Sequence, residues 1–171
     1  NDGFVQSFLD GVSYGVRKQA TAFQAKINDA SSSTAIYTFY SSGRGGSYGL
    51  IRAFFEFDTK SITVAPSSAS LKIHGATNGN NNIIAVSGTQ SSPLSTSDLV
   101  SLYGASTALA AGDGSGAGSL AGVSGLTYSA ATSGWNSGSY NTIPLNATAL
   151  ADMASLGTFK VCLMDYDYDY L

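Results

Sequence analysis

Hydrophobic and polar positions alternate with a period of two through most of this chain. Over residues 50–58 (Leu-Ile-Arg-Ala-Phe-Phe-Glu-Phe-Asp), Ile51, Ala53, Phe55 and Phe57 share one face, and Arg52, Glu56 and Asp58 alternate with them. That is the pattern of a half-buried strand. Residues 69–75 repeat it, with Ala69, Leu71 and Ile73 facing in and Ser70, Lys72 and His74 facing out. Near the end, Phe159, Val161 and Leu163 alternate with Thr158, Lys160 and Cys162. Weaker strands are predicted at 4–9, 34–40, 83–88, 126–130 and 139–145, and the intervening segments 41–49, 76–82 and 131–138 are rich in Gly, Ser and Asn. Short strands separated by turn chemistry predict an all-β fold, an antiparallel β-sandwich of jelly-roll type.

Two short helices are expected to interrupt this pattern. Asn146 is placed to cap a helix over 147–156, with Leu150, Met153 and Leu156 on one side and Gly157 as the stop. A single turn is expected from Thr96 or Ser97 through Asp98–Tyr103. Residues 104–125 hold seven glycines, no aromatic residue and only Asp113 as a charge, which predicts a Gly/Ser/Ala-rich surface loop. No internal repeat interrupts the chain, so residues 1–171 read as a single domain. The chain opens at Asn1 without a methionine and stops at Leu171 in a strand-like stretch, which reads as a segment of something longer.

Composition narrows the functional classes. Charged residues are 11% of the chain, whereas 27 Ser, 14 Thr, 20 Gly and 9 Asn supply an uncharged polar surface. This excludes a coiled coil or a helix bundle laced by Glu–Lys pairs. Residues 1–72 carry a net charge of +2 and residues 73–171 one of −5, with no Lys or Arg between Lys72 and Lys160. Phosphate backbones demand clustered cations, so no nucleic-acid partner is expected. No apolar run is long enough for a spanning helix. The single cysteine, Cys162, lies in an apolar alternating run and reads as a small buried hydrophobe.

Catalytic motifs do not survive inspection. Gly45-Gly46-Ser47-Tyr48-Gly49 matches G-x-S-x-G, but that motif needs a strand before it and a helix after it. Here a strand follows. His74, the only histidine and so the only imidazole base, alternates outward from a strand. One His and one Cys far apart do not make a zinc site. Glu56 is the only glutamate, and nothing selects Asp58 or Asp98 as its partner in a two-carboxylate glycosidase. The chain is therefore expected not to be an enzyme.

Two binding features remain. In Asp165-Tyr166-Asp167-Tyr168-Asp169-Tyr170, an extended backbone would put three aspartates on one face and three tyrosines on the other, about 7 Å apart along each face. That spacing is wide for one calcium ion with ligands at about 2.4 Å. Asp165, Asp167 and Asp169 are read as a solvent-facing stripe, with calcium binding by one or two of them, or direct contact with a ligand or partner, as the alternatives. Ten tyrosines and one tryptophan supply the second feature, several beside Gly, Ser or Asn in predicted loops. Tyr48, Tyr128, Trp135, Asn136 and Tyr140 are the candidate contacts. A flat ring beside uncharged amides suits a sugar face, and the same composition suits protein contacts. A Trp135 tucked over the edge of the sandwich is the third reading. Asn146-Ala147-Thr148 fits the glycosylation sequon, but a capping role would already occupy the Asn146 side chain.

One stretch carries a family likeness. Leu50-Ile51-Arg52-Ala53-Phe54-Phe55-Glu56-Phe57-Asp58-Thr59-Lys60-Ser61-Ile62, followed by Ser68-Ala69-Ser70-Leu71-Lys72-Ile73, resembles the "R-x-x-x-x-F-D-x-x-x-I … A-x-L-x-I" core of DNRLRE-type domains. Those are β-sandwich modules similar to certain carbohydrate-binding modules. Asp2-Gly3-Phe4-Val5, the 135–140 segment, the 146–156 helix and Phe159-Lys160-Val161-Cys162-Leu163-Met164-Asp165 extend the likeness over nearly the whole chain. The Gly-rich 42–49 lead-in and the Asp-Tyr ending look most like versions in structural proteins of marine bacteriophages. The name-giving motif is absent, and no catalytic residue is carried over. The resemblance implies a non-enzymatic virion surface protein: a capsid decoration, head-fibre or tail-fibre domain. It would contact other virion proteins or copies of itself, and host or environmental polysaccharide. The alternatives are an extracellular carbohydrate-binding module attached to an enzyme, and an assembly domain with no ligand.

Overall fold

A computed structural model of the chain describes residues 3–10, 25–28, 36–41, 47–76, 82–95, 98 and 125–171. Its elements are β1 (Gly3–Asp10), β2 (Ala25–Asn28), β3 (Tyr37–Ser41), β4 (Ser47–Asp58), β5 (Ser70–His74), β6 (Ile83–Ser87), β7 (Tyr140–Pro144), helix α1 (Ala147–Ser155), β8 (Thr158–Asp165) and a π-helical turn (Tyr166–Tyr170). Among the described residues the fold is all-β, with antiparallel sheets and one α-helix longer than a single turn. The larger sheet runs β2-β1-β4-β8-β6, and β3 also pairs with β4. β4 is the axis: β1 follows one edge from Ser47 to Phe54, while β3 takes the other edge up to Ile51 and β8 continues it from Ala53 to Asp58. β5 and β7 form a separate two-stranded sheet.

Alternation fixes which face of each strand is buried. In β5 and β7, Leu71 and Ile143 point inward while Ser70, Lys72, His74, Tyr140, Thr142 and Pro144 are exposed. Leu71 and Ile143 join Ala53, Ile83, Ala85, Phe159, Val161 and Leu163 of the larger sheet in one apolar cluster, so the two sheets share a core. Each of the larger side chains among them contributes about 1.5–3 kcal/mol by leaving water, the two alanines less. Tyr128 completes the cluster, stacked on Phe159 with ring centroids 5.1 Å apart.

The second face of β4, β6 and β8 is buried as well. Phe54, Ile84, Val86, Cys162 and Met164 are all at most 2% exposed. Among them lies Arg52, fully buried, its Nε and Nη2 donating to the two carboxylate oxygens of Asp169 at 2.7 and 2.6 Å. Two sequence expectations are thereby corrected. Arg52 does not face solvent, and the Asp-Tyr ending is not an extended strand with an exposed aspartate stripe. After Asp165 the chain coils into the π-helical turn, closed by the Leu171 amide on the Tyr166 carbonyl (3.1 Å), and lies against β6 and β8. Asp165 and Asp169 are fully buried. Burial pushes the Cys162 thiol well above its usual pKa, in keeping with the inert cysteine that its apolar run predicts.

The open edge of β6 is covered by residues 126–132, of which 126–130 were expected to form a strand. Only Thr127 bridges to Val86. The rest of the edge is satisfied piecemeal: the Ala85 amide donates to Ser129 Oγ (2.9 Å) and the Ile83 amide to Thr132 Oγ1 (2.8 Å). Hydroxyls replace carbonyls at these two amides, whereas the Ser87 amide donates to the Leu126 carbonyl (2.7 Å), so the pairing is mixed. β2 was missed because Ala-Lys-Ile-Asn is too short to show a period.

α1 starts where the sequence placed it. Asn146 Oδ1 accepts from the Ala149 amide (3.1 Å) and Gly157 takes the left-handed φ of +65° just beyond the end. Asn146 Nδ2 donates to the Thr127 carbonyl (2.7 Å), so both amide atoms of the sequon asparagine are engaged. The buried side differs from expectation. Ala149 is fully buried, Met153 packs partly on the core, and Leu156, at the C-cap, is 56% exposed. The small residue wins because it lets the helix backbone approach the core closely. Likewise Phe57, expected inside, is 37% exposed and stacks on the half-buried Phe55 at 6.5 Å.

Removing one partner of a buried ion pair strands the other charge, at a cost of about 3–5 kcal/mol. Asp169→Ala should lower the urea midpoint accordingly, and the Arg52→Met/Asp169→Leu double substitution should recover more than half of the loss. A single-variant loss under about 1 kcal/mol would count against the ion pair as the anchor of the turn.

Candidate functional site

The site begins at one end of the β5–β7 sheet. Register places His74 directly opposite Tyr140. Their rings meet edge to face, with centroids 5.3 Å apart at 89°, and the Tyr140 side of the pair is 69% exposed. The loop before β7 is held by Asn141, buried at 7% exposure. Its Oδ1 accepts from the Asn136 amide (2.8 Å), and its Nδ2 donates to the Asn136 carbonyl (2.9 Å). Gly75 clamps the same loop, donating to the Ser139 carbonyl (3.0 Å) and accepting from the Gly138 amide (2.8 Å). Gly134 (φ +85°) and Gly138 (φ +71°) supply backbone turns that an L side chain would strain.

Trp135 is half-buried and packs against the core cluster. A Cβ on Gly75 would sit 2.9 Å from Trp135 Nε1 and 2.0 Å from the Asn136 carbonyl oxygen, so the chain just after β5 passes the loop closer than any side chain allows. Asn82 ties the loop from the other direction. Its Oδ1 accepts from the Gly134 amide (2.9 Å), and its Nδ2 donates to Asp167 (3.0 Å) in the C-terminal turn. The result is a rigid corner presenting Tyr140, His74, part of Trp135 and the exposed Asn136, Ser137 and Ser139. Sequence alone missed Asn141 and the His74–Tyr140 pairing. A polar residue on the buried parity of β7, in step with Ile143, was the available signal for the first. The second depends on register between strands 66 residues apart.

The other sequence candidates fall elsewhere. Tyr128 is corrected: it is not a surface contact but fully buried, donating to Asp152 Oδ2 at 2.6 Å. Burial, then the Asp152 hydrogen bond, push its pKa up to about 12, against an opposing hydrogen bond from Ser87. Tyr48 lies within β4, opposite Leu9 and Tyr40, away from the β5–β7 sheet in pairing. Ser47 is also inside β4, so the G-x-S-x-G match is not a strand–turn–helix elbow. Asp165, Asp167 and Asp169 have separate engagements. Asp165 Oδ1 accepts from the Asp167 amide (2.9 Å), Asp167 from Asn82, and Asp169 from Arg52. Among the described residues no three His, Cys, Asp or Glu side chains are grouped as a metal ion would need. Asp98 is buried and accepts from the Ser91 and Ser95 amides (2.9 and 2.6 Å) and from Ser91 Oγ (2.8 Å), which organises its own loop. The rest of the expected 96–103 turn and the 104–124 part of the Gly-rich loop lie outside the described residues.

Among the described residues no helix is long and apolar enough to cross a membrane. No family model, curated protein or solved structure matches the chain.

The close approach at Gly75 predicts that Gly75→Ala displaces the 135–139 loop, destabilises the fold by about 1–3 kcal/mol and red-shifts the emission of Trp135, the sole tryptophan. Unchanged emission and melting temperature would show that the loop yields freely. A raised acid pKa stabilises the protonated native state below the unfolded value and loses that contribution as pH climbs through the native one. Stability measured by urea titration should therefore fall between pH 10 and about 12 through Tyr128, and Tyr128→Phe should flatten that part of the profile.

Proposed function

We propose that this chain is a non-enzymatic recognition module, a β-sandwich of jelly-roll type displayed on the surface of a bacteriophage virion, whose aromatic corner contacts polysaccharide. The observation that carries this reading is the exposed Tyr140 ring, braced edge-on by His74 beside a half-buried Trp135. A sugar offers one apolar ring face and a rim of hydroxyls. Stacking on an aromatic ring matches the first, and uncharged donors and acceptors match the second. Asn136, Ser137 and Ser139 provide the uncharged rim. Preorganisation adds to affinity, because a loop held by Asn141, Gly75 and Asn82 loses little freedom on binding.

The shared core of the two sheets supports the sandwich architecture, and the likeness of residues 50–73 to DNRLRE-type domains supports a displayed module, such as a decoration or fibre domain. A second reading, assembly against copies of itself without a saccharide ligand, is favoured by the exposed apolar side chains Phe57, Val64 and Leu156.

Glycan-array binding by the 171-residue chain tests the first reading. Binding that is abolished in a folded Trp135→Ala/Tyr140→Ala variant is the expected result. Silence across a broad array from a folded protein that self-associates would replace recognition with assembly.

A further inference from the structure

We infer that the outward face of the β5–β7 sheet receives an anionic saccharide, one bearing carboxylate or sulfate groups, with Lys72 as its counter-charge. This rests on the polysaccharide reading above and names the chemical class of that ligand.

Register sets three cross-strand pairs on this face: Ser70 with Pro144, Lys72 with Thr142 and His74 with Tyr140. All six residues are exposed, and none is acidic. Arg52 lies against Asp169, Lys60 against Asp58 and Lys160 against Glu56. Among the described residues, no carboxylate lies within ion-pairing distance of Lys72. In a chain of net charge −3, a cation without an acidic neighbour stands on the same face as the exposed aromatic pair.

The spacing suits one ligand spanning both. Lys72 and Tyr140 are diagonal neighbours across the sheet, about 7–8 Å apart at the backbone. The lysine stem is flexible and carries its ammonium as a compact point charge, so it meets a carboxylate or sulfate on a sugar stacked against Tyr140 without a fixed fork geometry. Thr142, directly opposite Lys72, adds a hydroxyl donor and acceptor between them. A single lysine gives too little positive charge for a phosphate backbone, which favours a sparsely charged saccharide over nucleic acid.

The test is biolayer interferometry of the 171-residue chain on immobilised, mostly methyl-esterified polygalacturonate, a sparsely sulfated galactan, an uncharged galactan and single-stranded DNA, at low and at physiological ionic strength. The expected result is tighter binding to one or both anionic saccharides than to the uncharged galactan, weakening as the Debye length contracts from about 30 Å to about 8 Å. Preference between polygalacturonate and sulfated galactan identifies the anionic group. Lys72→Gln should weaken only the anionic arm, about two- to fivefold, and Lys72→Arg should restore it. Equal binding to the uncharged galactan that survives Lys72→Gln but is lost in Trp135→Ala/Tyr140→Ala overturns this inference and leaves the recognition reading standing. No binding to any saccharide overturns both. Tighter retention of DNA than of either anionic saccharide assigns the face to nucleic acid instead.

Discussion

The buried Arg52–Asp169 pair is the constraint on which the arrangement of the larger sheet depends. A guanidinium at the centre of a fully buried strand face is tolerated only with its charge balanced and its donors satisfied. Asp169 provides both through two charge-assisted hydrogen bonds. Because it lies 117 residues away, satisfying Arg52 requires the C-terminal turn to fold back over β6 and β8. Phe54, Ile84, Val86, Cys162 and Met164 are buried on that same face. One face of the sheet is therefore closed by the other sheet through the apolar effect, whereas on the second face an electrostatic lock fixes the turn.

The lock also reaches the candidate site. Asp167, held within the same turn, accepts from Asn82, whose carbonyl oxygen receives the Tyr166 amide and whose side chain fixes Gly134. A continuous hydrogen-bonded path thus runs from the C-terminal turn to the loop carrying Trp135. Rigidity at that loop follows from satisfied backbone groups as much as from apolar packing. The site draws on the same economy as the open edge of β6, where Ser129 and Thr132 hydroxyls stand in for missing strand partners. In a chain so rich in Ser, Thr and Asn, short polar side chains do much of the work that strand pairing does elsewhere.

The period-two pattern located β1, β4, β5, β6, β7 and β8 to within a few residues, and the Asn146–Gly157 capping signals located α1. Both signals are local: alternation reports which face meets the core, and capping satisfies amides only a few residues on. The outward positions Lys72 and His74 were legible for the same reason. Tyr128 was not, because a tyrosine among Gly, Ser and Thr reads as a loop residue until Phe159 and Asp152 are brought to its ring and hydroxyl.

What the sequence by itself determined was the all-β character, the outward positions of β5, the cap of α1 and the inert setting of Cys162. Tertiary structure decided the rest. It turned Arg52 inward, coiled an apparently extended Asp-Tyr run into a π-helical turn, and set His74 against Tyr140 across a strand register. Alternation assigns a residue to a face but cannot say what later covers that face. A second layer arriving from the far end of the chain converts an outward charge into a buried one.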